Sequence, residues 1–459
     1  MYFCELMVMK KNDIIRLCIT SLTADGDGVG RSADGMVVFV PNAAVGDTLD
    51  VRVIKVKQHI AYGRVESVVV PSPDRIVPDC PVARACGGCV YRHISYDAEC
   101  RSKQQKVLDA VTRIGGLQPS LVKAILPCER RDGYRNKAMI PVALESDGVP
   151  VIGFYARHSH RVVPCADCAL SPPVFNRIAA DFLAFMRRYP ELVYTAERRC
   201  GIRHLYLRYA EMTDEVMVCV VACAEHFLHE DELYDSLTEK YGNIKSIVVN
   251  VNPDDTNVIL GAYCRTVYGG DTITDVLCGL HFELSPLSFY QVNRAQCERL
   301  YALVSRYAAL SGDDVLLDLY CGTGTIGLSM AHNCREVIGV EIVSDAVDNA
   351  RRNAERNGIM NARFLCADAA AAAEQLRDEG ISPDVVVVDP PRKGLAPDLI
   401  DTIVGMSPQR VVYVSCDPAT LARDLKLFSE RDYSVKELTP VDMFPRTAHV
   451  ETVVSMSRQ

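Results

Sequence analysis

Along residues 14–70, apolar and polar positions alternate in short runs such as IIRLCITSL and TLDVRVIKV, separated by Gly and Asp turns. That is the period of half-buried strands, and it predicts a small antiparallel barrel. Pro71, Pro73 and Pro78 end the pattern and mark a linker, after which a helix is expected from about Asp97 to Ile114. Residues 134–285 are mixed and β-rich, with strand candidates KAMIPVAL, VIGFYA, HLYLRYA, VMVCVVA and SIVVNVN and a helix over Val174 to Arg188. From about Pro286 the rhythm becomes strand then helix: DVLLDLY, a Gly-rich turn, EVIGVE, a helix through Asn349 to Arg356, RFLCAD, PDVVVVDPP, RVVYVSCDP, a helix through Leu421 to Phe428 and two closing strands. The alanine run Ala369 to Ala373 reads as helix. Alternation of this kind predicts a doubly wound, Rossmann-like α/β sheet. The expected architecture is α/β plus β: an OB-like barrel over 1–72, a central mixed α+β domain over 73–285, and the doubly wound domain over 286–459.

A chain of 459 residues holds about two to four domains, and 49% apolar with 24% charged residues is a globular composition. The net charge of −9 argues against a general DNA-coating protein. It leaves RNA open, because residues Ile76 to Arg161 carry 13 Lys and Arg against 8 Asp and Glu. Arg84, Arg92, Arg101, Lys103, Lys106, Arg130, Arg131, Arg135 and Lys137 are the candidates for phosphate contacts there. The longest apolar runs, such as Val385 to Val388, fall far short of the roughly 18 residues that span a bilayer. The opening MYFCELMVMKKND does not read as a secretion signal. A cytoplasmic location without membrane contact is expected, and nineteen cysteines are then reduced thiols, metal ligands or catalytic groups rather than a disulfide framework.

Ligands of doubly wound sheets bind at the carboxyl ends of the strands, which directs attention to Asp318 with Tyr320, Glu341, Asp389 and Cys416. DLYCGTGTIG sets Gly322, Gly324 and Gly327 directly after an apolar strand, and Glu341, 19 positions beyond Gly322, is placed to accept from both hydroxyls of a ribose. The same glycines satisfy GxGxxG, so a nicotinamide or flavin oxidoreductase is a rival. Asp389-Pro390-Pro391-Arg392 resembles instead a motif of Rossmann-like methyltransferases. Ser415-Cys416-Asp417-Pro418 puts a thiol at a strand end. C5 of a pyrimidine is a poor nucleophile until a thiolate adds at C6, after which a base must remove the C5 proton. One cysteine and one carboxylate meet that need. The bland reading of Cys416 is a small buried hydrophobe.

SCDPATLARDL at 415–425, DPPRKGL at 389–395, SPLSFYQVN at 285–293 and TAHVETV at 447–453 together resemble the RNA uracil-5-methyltransferase family, bacterial ribosomal RNA branch. The resemblance implies that Cys416 is the C6 nucleophile, that Glu451 takes the C5 proton, and that S-adenosylmethionine is held by Gln291, Tyr320, Thr325, Glu341, Asp368 and Asp389. In the bland account Thr325 is a helix cap, Asp368 a solvated loop residue and Glu451 an exposed strand residue, while Arg392 and Arg446 contact phosphate or face water. Phe289 stacks on an extruded uracil or, as first choice, packs in an apolar turn. Many relatives have Asn in place of Asp417, whose charge, if unpaired, disfavours a thiolate at Cys416.

Cys80, Cys86 and Cys89 bring three thiols together around Gly87 and Gly88, and Cys165 and Cys168 follow later. Spacing leaves two metal readings: zinc on Cys86, Cys89, Cys165 and Cys168, or an iron–sulfur cluster on the first three with one of the later pair. The resemblance implies a [4Fe-4S] cluster with Cys168 as fourth ligand, ordering an RNA-binding loop. It also likens residues 14–70 to the TRAM module, which binds single-stranded loops, and implies that residues 94–124 pack on the catalytic domain. The expected substrate is structured RNA, 23S ribosomal RNA first and transfer RNA second, acted on by a monomer; a catalytically silent RNA-binding assembly factor is the alternative outside enzymes.

Overall fold

Strands β1 (Ile14–Leu22), β2 (Gly28–Arg31), β3 (Val37–Val40), β4 (Thr48–Val56) and β5 (Ile60–Val70) close into a barrel in the order β1-β2-β3-β5-β4. The computed structural model describes residues 9–459, so most of the amino-terminal stretch read for a secretion signal lies outside the described residues. Every second barrel residue points inward, and Leu17, Ile19, Val38, Val40, Leu49, Val51 and Val53 form the plug. One pair differs from expectation: β3 runs parallel to β5, while the other pairings are antiparallel. A Cβ on Gly63 would stand 2.2 Å from Val51 Cγ1, so only glycine lets β5 lie this close to β4.

The chain divides into two compact units: residues 1–106 with 156–159 and 444–449, and residues 107–155 with 160–443 and 450–459. Helix α1 (Tyr96–Arg113) belongs to the first unit as far as Lys106, and that part buries an i,i+4 ion pair, Lys103 Nζ to Glu99 Oε1 at 2.7 Å, with neither side chain exposed. Lys103 also donates to the Phe444 carbonyl at 3.1 Å, and the Arg446 amide donates to Glu99 at 2.6 Å, which fastens residues 444–446 to the helix.

In the second unit, β6 (Lys137–Leu144), β7 (Pro150–Tyr155), β8 (Val162–Pro164), β9 (Ile202–Ala210), β10 (Glu215–Ala222), β11 (Ile244–Val251) and β12 (Tyr263–Gly269) form a sheet of order β12-β11-β10-β9-β6-β7-β8. Helices α2 (Pro173–Arg188) and α3 (Glu230–Lys240) cover one face, burying Phe175, Ile178, Phe182 and Leu237 against Leu205, Leu207 and Val218. The hairpin β13 (Ile273–Leu277) and β14 (Leu280–Leu284) follows. Its Thr274 amide donates to Glu215 of the central sheet, and its His281 and Glu283 amides donate to Asn357 and Asn353.

The remaining elements are α4 (Arg294–Ala308), β15 (Val315–Leu319), α5 (Thr325–Met330), β16 (Glu336–Glu341), α6 (Ser344–Arg356), β17 (Ala362–Cys366), α7 (Ala369–Asp378), β18 (Val385–Val388), α8 (Pro397–Met406), β19 (Arg410–Ser415), α9 (Pro418–Ser429), β20 (Tyr433–Val441) and β21 (Glu451–Arg458). Their sheet has the order β17-β16-β15-β18-β19-β21-β20, parallel from β17 to β19 and antiparallel at β21. The expected doubly wound fold is thus present. Helices α4 and α8 add to the elements that the sequence pattern predicts. Because the hairpin bonds to both Glu215 and α6, the central and carboxyl-terminal segments, expected as separate domains, share one unit. Val107 and Val111 of α1 join the core of the carboxyl-terminal sheet. Among the described residues no helix is long and apolar enough to cross a membrane.

Replacing Lys103 by Met takes the closest cation from the buried Glu99 carboxylate, which keeps its contacts with Arg446, at a cost of about 3 kcal/mol. Urea unfolding followed by circular dichroism should show that loss, and an unchanged midpoint would contradict the pair's structural weight.

Candidate active site

The carboxyl-terminal sheet reverses its winding at β15, with β16 on one side and β18 on the other, so a crevice opens at the carboxyl ends of these strands. Tyr320, directly after β15, takes φ 64°, a left-handed conformation costly for an aromatic residue, and Gly322 and Gly324 follow with φ 56° and 80°. Asp318 is buried and accepts from the Gly327 amide at 2.8 Å. A Cβ on Gly327 would sit 2.9 Å from that same carboxylate oxygen, which explains the third glycine. The other oxygen, Asp318 Oδ1, has no hydrogen-bond partner among the described residues.

Glu341 closes β16. Its Oε2 accepts from the Gly322 amide at 3.1 Å, and its Oε1 from the amides of Ile342 and Val343 at 2.8 and 2.9 Å. Ile342 and Val343 are 65% and 53% exposed, an apolar ledge beside a carboxylate. That pairing suits a nucleoside, with its base on the ledge and its ribose at the acid. The bland roles of two residues change places: Asp368 caps α7, accepting from the Ala370 amide at 3.0 Å, whereas the Thr325 hydroxyl is bonded to Tyr301 Oη at 2.7 Å and caps nothing.

Strands β19 and β21 are antiparallel, with Ser415 opposite Thr452. Cys416 directly follows β19 and Glu451 opens β21, and the two are close enough for the Glu451 charge to act on the thiol. Glu451 is only 7% exposed, which corrects the reading of an exposed strand residue. Burial, then the charge of Asp389, push its carboxyl up to about 8, with Arg392 pulling the other way. Burial pushes Asp389 up to about 7. Asp318 also reaches about 7, through burial and then the charges of Asp389 and Glu341, against the Gly327 hydrogen bond. The Cys416 thiol is raised to about 11 by burial, Glu451 and Asp389, and lowered by Arg392. Asp417 is not unpaired: its Oδ1 accepts from the Ala419 and Thr420 amides at 2.9 and 3.0 Å, capping α9. Arg446 is 9% exposed and lies 3.7 Å from Glu99, so it does not face water, whereas Arg392 is exposed. The crevice is rich in carboxyls and short of cations. Such a site favours a positively charged ligand, as a sulfonium is.

Residues 285–293 are shaped by the central sheet. Arg208 of β9, 2% exposed, donates to the Ser285 carbonyl at 2.6 Å, to Ser288 Oγ at 3.0 Å and to the Ser288 carbonyl at 2.6 Å. Tyr206 Oη donates to the Pro286 carbonyl at 3.1 Å, and Asn136 holds the Gln291 and Val292 carbonyls at 2.9 Å each. With its backbone pinned inward, the loop leaves Phe289 66% exposed, not packed as first expected. Arg208 and Asn136 escape sequence reading: in HLYLRYA and YRNK nothing marks them beyond polarity. Asn293 caps α4 and donates to the Met443 carbonyl at 3.0 Å.

Among the described residues, no three His, Cys, Asp or Glu side chains are grouped to hold a metal. Cys80, Cys86 and Cys89 lie on a partly exposed loop of the first unit, and Cys168 belongs to the second. Several candidate phosphate contacts are also committed within the fold: Arg92 to Asp79 at 2.7 Å, Arg101 to Asp74 at 2.6 Å, Lys103 to Glu99, Arg130 to Glu211, and Lys106 to the carbonyls of Ala24 and Ala448.

Residues 273–459 match the tRNA (Uracil-5-)-methyltransferase family and residues 10–65 the TRAM domain. An uncharacterized RNA methyltransferase of Halalkalibacterium halodurans is 40% identical over 446 residues, 97% of each chain. One from Clostridium tetani is 38% identical over 450 residues, 98% of this chain and 97% of the relative. The crystal structure of Pyrococcus abyssi tRNA (uracil-54, C5)-methyltransferase in complex with S-adenosyl-L-homocysteine has a TM-score of 0.76 at 29% identity, covering 96% of this chain and 99% of that one.

Asp318, Asp389 and Glu451 keep protons in the folded chain at pH values where unfolded carboxyls, ionising near about pH 4, have released them. Their contribution to stability is full below that range and is lost as pH rises through 7 to 8. Thermal unfolding of the ligand-free protein should therefore occur at lower temperature at pH 9 than at pH 6, with a smaller drop in Glu451→Gln; equal drops in the two proteins would contradict the elevated Glu451.

Proposed function

The chain belongs to the RNA uracil-5-methyltransferase family, whose members are S-adenosylmethionine-dependent enzymes, and we propose that it methylates C5 of uracil in structured RNA through Cys416 and Glu451. The observation that carries this reading is the β19–β21 register, which sets a half-buried thiol close to a buried carboxyl at the mouth of the crevice. S-adenosylmethionine, when bound, supplies an electrophilic methyl group. Glu341, beside the Ile342–Val343 ledge, holds the ribose; Tyr320, Thr325, Asp368, Asp389 and Gln291 complete the pocket. Asp318, Asp389 and Glu451, held protonated by burial in the unliganded chain, ionise more readily beside a bound sulfonium and then offset its charge.

Cys416 Sγ adds to C6 of the uracil, forming the S–C6 bond and making C5 nucleophilic. After C5 is methylated, Glu451 accepts the C5 proton and the S–C6 bond breaks, releasing thiolate and 5-methyluracil. A carboxyl held near 8 is a stronger base, once ionised, than an ordinary glutamate. Arg392 is the cation that favours the thiolate. Phe289, fixed by Arg208 and exposed, stacks on the extruded base.

The substrate proposed first is 23S ribosomal RNA, on the motif resemblance. Transfer RNA is a second reading, favoured by the whole-length likeness to the Pyrococcus abyssi enzyme. Labelled methyl transfer to unmodified transcripts of both, with nucleosides identified by mass spectrometry, should yield 5-methyluridine in one of them. Cys416→Ala should lower the rate by at least about four orders of magnitude, the scale seen when a nucleophile is removed; transfer at an undiminished rate would sink the nucleophile assignment.

Glu451→Gln keeps the nucleophile and loses the base. It should accumulate an RNA–protein adduct, stable to denaturing electrophoresis, that wild type clears. Turnover equal to wild type without adduct would exclude Glu451 as the base.

A [4Fe-4S] cluster on Cys80, Cys86, Cys89 and Cys168 rests on spacing and family likeness. Iron and sulfide analysis of anaerobically purified full-length protein should find about four of each per chain. Absence of both would exclude the cluster.

A further inference from the structure

The central sheet carries an unneutralised cationic cluster beside the Phe289 loop. Lys137 of β6 stands directly opposite Arg208 of β9 in the antiparallel ladder, so their side chains share a face. Arg135, two residues before Lys137 and just ahead of β6, lies close enough for its charge to act on the Lys137 ammonium. The face that Lys137 and Arg208 share is the one from which Arg208 and Tyr206 grip Ser285, Pro286 and Ser288.

Arg208 spends its guanidinium on the loop. Lys137 and Arg135 are both partly exposed, and no Asp or Glu pairs with either among the described residues. Arg135 Nε is buried without a hydrogen-bond partner, and its guanidinium lies 5.8 Å from the Tyr134 ring centroid. Burial and then the charges of Arg208 and Arg135 hold the Lys137 ammonium down to about 8, with no anion acting in the other direction. Like charges gathered without a counter-ion are costly, and an anionic ligand removes that cost.

Resting on the RNA-methylation reading above, we infer that Lys137 and Arg135 form a seat for one phosphodiester of the substrate strand next to the extruded uridine. The loop that presents Phe289 to the base is gripped by β9, and the cations that hold the backbone stand at the start of its neighbour β6 and just ahead of it. Lys137 and Arg135 are positioning residues in this account. They contact the backbone, carry no base specificity and take no part in bond making.

The test is salt-dependent binding of the full-length protein to unmodified 23S ribosomal RNA and transfer RNA transcripts between about 50 and 200 mM KCl. Lys137→Gln and Arg135→Gln should each reduce the slope of log affinity against log salt by about one, and the double variant by about two. Lys137→Arg should keep the wild-type slope. S-adenosylmethionine affinity and thermal unfolding should be unchanged in all of them, which separates lost charge from lost fold. A double variant with the wild-type slope overturns the seat. Slopes that fall as expected in a protein that methylates neither RNA would uphold the seat while removing the reaction assigned to the crevice.

Discussion

The antiparallel pairing of β21 between β19 and β20 is the constraint on which the rest of the site depends. A parallel sheet alone delivers side chains at one edge from strands that all arrive from the same direction. Inserting one strand that runs the other way lets a residue at its beginning, Glu451, meet a residue at the end of its neighbour, Cys416. The cores of β19 and β21, with Val411, Tyr413, Val454 and Met456 fully buried, fix the register. A one-residue slip would turn both functional side chains to the opposite faces.

Around that pair the protein tolerates an unusual electrostatic arrangement. Burial raises Asp318, Asp389 and Glu451, the charge of Asp389 adds to the rise at the other two, and one Asp318 oxygen has no hydrogen-bond partner among the described residues. Unliganded, such a site is poorly compensated. A cationic cofactor repairs the deficit, so affinity for a sulfonium and the tuning of the base have the same physical origin. The central sheet shows the opposite imbalance, an excess of positive charge at Lys137, Arg135 and Arg208 beneath the loop that carries Phe289. The reacting base is thus offered acids on one side and its backbone cations on the other.

Much of this is legible in the sequence. Alternating patterns locate the barrel and the doubly wound sheet, and the strand-end rule picks out Asp318, Glu341, Asp389 and Cys416 from the order of elements alone. What sequence reading misses depends on contacts far apart in the chain. Burial of Glu451 follows from its place between β19 and β20, which no local pattern around HVE reveals. The exposure of Phe289 comes from Arg208 within β9 and Asn136 just ahead of β6, polar residues 81 and 153 positions upstream. Asp417 reads in the sequence as an uncompensated charge beside the thiol, yet the amide groups at the start of α9 take it up. Helix α4 goes unanticipated because its start is set by Asn293, whose side chain caps the first turn and reaches Met443.

The central claim is that Cys416 bonds to the uracil ring. RNA transcribed with 5-fluorouridine carries fluorine where the C5 proton would be removed, so a chain that has added to C6 and seen C5 methylated cannot let go. Incubating such RNA with the enzyme and S-adenosylmethionine, digesting the adduct and mapping the modified peptide by mass spectrometry should place the nucleotide on Cys416. A nucleotide on any other cysteine, or no adduct from a preparation that methylates ordinary uridine, would contradict the account.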